Sequence, residues 1–405
     1  MTAERLAFVD RLRGLATVAM IEVHVVNALL APDFRGGRAF AALDFVNGLV
    51  APSFLVAAGF SLVRSFAISP AVSFSLGSAG LALARSFAPG PAGLSLARSF
   101  AAGLPALTWP EAPTRWHLAA GHARRAALLL VLGYAMHASH LPAALSAQGP
   151  ERASAWAFFL QTDVLQLIAL GLSSLALVAA LVRSARRYAA ICLVAALACT
   201  WLGPEAHRHA WGALPMPLAT FFTERYGSPF PALPWAAFLA LGAALGASGP
   251  PASKPGAWAR KLCLVAALGL SLGALGALAP WPLGGAYERW TLSPSATSLR
   301  AGLVCLVAAG LASASHLGRS IERLLALFGR HSLFVYVAHI VLVYGRHPLS
   351  LRSLIGPTLG PFGCLVAWAA VSVSMVLGVL ALRAGRARLA TRGARALAPT
   401  PRRAP

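Results

Sequence analysis

The chain reads as long apolar runs separated by short polar joints. Runs of about 17–25 apolar residues are long enough to cross a bilayer as helices. Ten stand out, at 12–30, 42–63, 125–143, 158–182, 189–203, 235–247, 262–279, 299–315, 325–344 and 362–382, the fifth and sixth being the shortest. The pattern predicts an all-α polytopic membrane bundle of about ten transmembrane helices. Composition agrees: 58% of the 405 residues are hydrophobic and 11% charged, against roughly 25% charged in a soluble globular chain.

Charge orients the bundle. Cytoplasmic loops are enriched in Lys and Arg. With ten spans and both termini inside, the inner segments hold 25 of the 34 basic residues and the outer loops 9. The net charge of +22 raises nucleic acid as a partner, but the basic residues are scattered over loop ends and the tail. Arg383, Arg386, Arg388, Arg392 and Arg395 follow the last run directly. They read as a juxtamembrane cluster facing anionic lipid, worth about 1 kcal/mol per residue near the surface. The five cysteines fall within apolar runs, with neither metal-ligand spacing nor a disulfide framework. Arg11 and Arg13 before the first run resemble a signal peptide. The run is too long for one and is interrupted by Glu22 and His24, so it reads as a retained span.

Residues 1–382 form one membrane domain, interrupted at 65–116 by a low-complexity cytoplasmic insertion. There "LALARSFAPG" recurs as "LSLARSFAAG" at an offset of thirteen, and two copies are too few for a solenoid. Residues 383–405 read as a basic, disordered cytoplasmic tail.

The chemistry lies inside the runs. In "LRGLATVAMIEVH", Arg13 and His24 are eleven residues apart, which on an α-helix leaves them about 20° out of register and about 16 Å apart along the axis. Asn27 extends the same stripe, whereas Glu22 points away from it. Ionisable groups at membrane depth are expensive and face a protein interior or a wet cavity. Counting inward from the run ends places His339, Asp163, Asp44 and Asn47 with His24 in the outer half of the membrane. Arg13, Arg124, Arg125, Arg330 and His331 gather at the inner mouth. Imidazoles and acids on one side and guanidiniums on the other suit a donor that is anionic at one end and reactive at the other. Acyl-CoA is such a donor, because arginine binds its phosphates bidentately. A histidine at the thioester acts as general base or as acyl carrier. A carboxylate, Asp163 or Asp44, would hold its tautomer, and Asn27 and Asn47 would contact the acceptor.

At these residues the chain resembles bacterial relatives of the heparan-α-glucosaminide N-acetyltransferase catalytic domain, within the transmembrane acyltransferases. The matching stretches are "DRLRGLATVAMIEVH", "APSFLVAAGFSL", "ARRAALLLVLGYAMH", "LQTDVLQLIALGL", "FPALPWAAFLALGAALG" and "FGRHSLFVYVAHIVLVYG". They occur in family order and cover most of the chain outside 65–116. The Arg13–His24 spacing is also similar to the signature of bacterial O-acetyltransferases in that group. The resemblance implies acetyl transfer from cytoplasmic acetyl-CoA to a sugar or glycan across a bacterial inner membrane, with no metal. The lysosomal enzyme of the family has its active-site histidine in the outer approach to the second span. Residues 32–40 here hold none, so His24 takes that place. Neither the heparan acceptor nor a counterpart of that enzyme's lumenal domain is expected. The competing reading is a transporter or flippase in which the buried His and Asp groups relay protons.

Overall fold

The computed structural model describes residues 6–66, 109–208, 214–224, 226–249, 255–278, 292–314, 317–345 and 349–396. Most of the repeat-bearing insertion, residues 67–108, lies outside the described residues, as does the end of the tail from residue 397. Among the described residues the protein is helical and holds no strand. The long helices are α1 (Ala7–Leu29), α2 (Gly37–Asn47), α3 (Val50–Phe66), α4 (Ala112–His137), α5 (Val164–Leu181), α6 (Ala185–Arg208), α7 (Ala232–Ser248), α8 (Pro255–Leu278), α9 (Pro294–Ser313), α10 (Arg319–Arg330), α11 (Ser332–Tyr344) and α12 (Pro361–Ala396). The described chain has eight segments long and apolar enough to cross a membrane, or nine if the α10–α11 pair is counted as one span. The protein is therefore an all-α polytopic membrane protein.

Each of the ten apolar runs has a helix, with four differences. The run at 42–63 is broken at Gly48–Leu49, between α2 and α3. The run at 235–247 becomes α7, which at 17 residues falls among the shorter apolar helices. The run from 158 is interrupted at Gln161–Asp163, and its spanning helix starts at Val164. The run at 325–344 is broken at His331, where α10 and α11 meet at 81°. Its first half belongs to "RSIERLLALFGR", which is amphipathic: Leu325 and Phe328 are buried, Glu322 is half-buried, and Arg323 and Arg330 are exposed. That pattern suits a helix lying in the interface better than one crossing hydrocarbon. The basic tail also differs from expectation, since α12 continues through Arg383, Arg386 and Arg388 to Ala396. Its Ala, Leu and Arg residues are strong helix formers.

The chain divides into two compact units. The first comprises Met1–Val9 and Ala51–Ser315; the second, Asp10–Val50 and His316–Pro405. In the first, α8 and α9 approach backbone to backbone at Gly269, Gly273 and Gly302, where any side chain would strike the facing helix. Small residues permit such approach between membrane helices. Leu264, Leu268, Leu272 and Leu275 form an exposed stripe along α8, as lipid requires and water does not.

The second unit packs α1, α11 and α12 around Ile21, Val25, Leu29, Val335, Val343, Cys364, Val371, Met375 and Val379. Trp368 of α12 donates its indole N–H to the Val18 carbonyl at 3.2 Å. α10 crosses the start of α1, with Gly14 against the Leu325 backbone and Gly329 against that of Asp10. The far end of α1 is closed by Arg35. Its Nη2 donates to the carbonyls of Leu30 and Asn27 at 3.0 Å, and its Nε donates to Leu30 at 3.2 Å. Carbonyls left unpaired at a helix C-terminus need such donors. Leu30 also forms a parallel bridge with Leu359, through Ala31 N–H to the Leu359 carbonyl and Leu359 N–H to the Leu29 carbonyl, both 2.9 Å.

Candidate active site

The second unit brings together two histidines that sequence placed at one depth. His24 Nδ1 lies 2.8 Å from His339 Nε2, and the two rings are 12° from coplanar. His339 is fully buried, and its Nδ1 lies 2.6 Å from the carbonyl oxygen of Val335, one helical turn back. His24 is half-buried. α1 runs without a proline from Ala7 to Leu29 and so carries His24 rigidly from the Gly14 crossing. α11 carries His339 upward from the His331 bend. Eight residues separate His339 from that bend, a rise of about 12 Å. Because α10 turns aside at His331, the rise to His339 is counted from that bend and not from Leu325.

Tyr344, which sequence did not single out, completes the setting. Its hydroxyl donates to the His24 carbonyl at 3.1 Å, and its ring packs edge-on against the His24 ring with centroids 5.8 Å apart. The Arg352 guanidinium lies over the other side of this tyrosine, 5.8 Å from the ring centroid. Glu22 hydrogen-bonds the side chain of Asn47, so α2 is tied to α1 at the level of the histidines. Asn27, one turn beyond His24, is exposed, as is Asp44.

Two expectations are corrected. The ring-nitrogen partner of His24 within this unit is not the Asp44 carboxylate but the imidazole of His339. Nor are guanidiniums confined to the inner mouth, because Arg35 and Arg352 flank Tyr344 at the end of α1 beyond His24. Arg35 is held there by the orphan carbonyls of α1, a demand invisible in a hydropathy pattern.

At the opposite end of this unit, Arg13 reaches Asp10 at 3.4 Å and the Gly329 carbonyl at 3.5 Å, and Arg11 pairs with Glu322. Arg330 is exposed beside them. His331 lies within electrostatic range of Arg383, Arg386 and Arg330, so α12 adds two guanidiniums that sequence had assigned to lipid alone. A cationic end and an imidazole pair thus occupy one unit, separated by the length of α1 between Arg13 and His24.

The remaining candidates belong to the first unit. Asp163 caps α5, accepting from Val164 N–H at 2.6 Å. Arg124 and Arg125 are exposed on α4, where Arg125 lies near His122. His122 Nε2 is 2.7 Å from the Ser65 hydroxyl.

Comparison with known proteins bears on the N-terminal part of the chain. No curated protein matches it. Residues 5–84, about a fifth of the chain, match the family profile described as Heparan-alpha-glucosaminide N-acetyltransferase, catalytic. Arg13, His24, Asn27, Asp44 and Asn47 lie within the match. The N-terminal fifth of the chain, with the first of the two histidines, is therefore similar to that catalytic domain.

Proposed function

We propose that the protein transfers an acyl group, acetyl by family, from cytoplasmic acyl-CoA to a hydroxyl or amine of a sugar or glycan at the opposite face of a bacterial inner membrane. The observation that carries this reading is the His24–His339 pair buried midway along the second unit, within reach of the helix segment that the family profile matches. In the direct route, His24 takes the acceptor's O–H or N–H proton while the acceptor atom bonds to the thioester carbon. The C–S bond breaks, and the leaving thiolate receives that proton. In the two-step route His24 first carries the acyl group. Arg13 and Arg330, with Arg124 and Arg125, would bind the donor's phosphates. Asn27, Asn47 and Asp44 would face the acceptor, and Asp163 retains its expected place among the acid–base groups.

The test is thiol release from acetyl-CoA by purified protein, with and without candidate sugars. His24→Ala should fold normally and lose about 10²-fold or more in transfer, the usual scale for an acid–base group. Transfer at the wild-type rate in that variant would remove His24 from the reaction.

A second reading draws on the same contact. Two imidazoles joined nitrogen to nitrogen also form a link in a proton relay, the core of a transporter. Acceptor-dependent proton flux without thiol release would favour it.

A further inference from the structure

We infer that His24 reacts through Nε2, and that His339 is the positioning residue that makes this atom the reactive one. The inference rests on the acyltransferase reading for its chemistry but on hydrogen-bond accounting for its geometry. A neutral imidazole has one N–H and one lone pair. Val335 offers His339 Nδ1 a carbonyl oxygen at 2.6 Å, which has no proton to give, and the Tyr336 carbonyl is a second acceptor in range of His339. His339 Nδ1 therefore holds the hydrogen, and its Nε2 presents a lone pair. The atom facing that lone pair at 2.8 Å is His24 Nδ1, which must be the donor. This leaves the lone pair of His24 on Nε2. Among the described residues no hydrogen bond is made to that atom.

The surroundings keep the assignment fixed. The rings lie 12° from coplanar, so the shared hydrogen sits close to both ring planes. Complete burial of His339 keeps water from its own two ring nitrogens. Tyr344 braces the other side of His24, through its hydroxyl on the His24 carbonyl and its ring against the imidazole. The chain of bonds runs from the backbone of α11 through His339 to His24, the arrangement by which a third group orients a catalytic base. A neutral imidazole in this position also avoids the cost of a fixed carboxylate inside an apolar span. Either route of the proposed function uses the same atom. Nε2 accepts the proton in one and forms the bond to the acyl carbon in the other, while Nδ1 keeps its hydrogen bond to His339.

Two substitutions and one spectrum test this. In His339→Gln the amide can place an acceptor where Nε2 stood. In His339→Leu the site is filled and the acceptor is gone. His339→Leu should lower kcat for thiol release about 10²-fold or more, with little change in the KM for acetyl-CoA, because the wrong tautomer disables the base. His339→Gln should restore most of that loss. With ¹⁵N-labelled histidine in detergent-solubilised protein, His24 should report a proton on Nδ1 in the wild type and His339→Gln, and a shift toward Nε2–H in His339→Leu. An Nε2–H signal in the wild type would overturn the inference, even if His339→Leu fails to fold. So would a His339→Gln variant that loses as much kcat as His339→Leu while its tautomer is unchanged. Full thiol release by His24→Ala would remove His24 from the reaction and overturn the inference while leaving acyl transfer intact. No thiol release by the wild type, with its Nδ1–H signature in place, would count against the acyltransferase reading alone.

Discussion

Arg13 has a structural place and, in the proposed reaction, a role at the donor. It reaches the Asp10 carboxylate and the Gly329 carbonyl of α10, and it stands at the cationic end of the second unit. Hydrogen bonds to a charged group contribute roughly 1.5–3 kcal/mol. If Arg13 also binds donor phosphate, Arg13→Gln should raise the KM for acyl-CoA about tenfold or more with a smaller change in kcat. A fall in thermal stability with unchanged KM would confine it to the α1–α10 joint. His24 and His339 were legible in the sequence because an ionisable residue inside an apolar run is costly and therefore conspicuous. Their partnership was less so. A tautomer-holding group is ordinarily a carboxylate, and nothing in the spacing of Val335 and His339 reveals that a backbone carbonyl sets the chain of bonds. Tyr344 and Arg352 were invisible for a similar reason, since interfacial aromatics and arginines occur at most span ends.

At the scale of elements, the spans were legible because a bilayer admits only segments that satisfy their own backbone hydrogen bonds. Breaks within spans were harder to read. No proline marks the bend at His331, and the cue is instead the amphipathic spacing of Leu325 and Phe328 opposite Arg323 and Arg330. The joint between α10 and α1 depends on two glycines. A side chain at Gly14 would meet the Leu325 carbonyl, and one at Gly329 the carbonyl of Asp10. Neither neighbour can swing away. Gly329→Val should therefore destabilise the protein by about 1–3 kcal/mol, the usual cost of overpacking, and lower its melting temperature in detergent. Gly310→Val, where nothing lies within 4 Å, should shift it much less through sterics. Equal shifts in the two variants would show that the crossing is looser than its geometry indicates.

The whole molecule is expected to work across a membrane, with donor and acceptor on opposite faces. In sealed vesicles of one orientation, acyl-CoA should support transfer only from the face carrying Arg13 and Arg330, and the acylated acceptor should appear on the other. Product confined to the donor side would exclude transfer across the bilayer while leaving acyl transfer itself intact. The 81° turn at His331 bears on how far the acyl group must travel. α11 has 13 residues, about 20 Å of rise, which is about 10 Å short of an ordinary hydrocarbon core. Lipid meets a short hydrophobic element by thinning around it, at a cost of fractions of a kcal/mol per Å. The expected consequence is a bilayer thinned beside α11. Transfer by the reconstituted protein should accordingly change with lipid chain length, and equal rates in thin and thick bilayers would show that α11 imposes no such thinning.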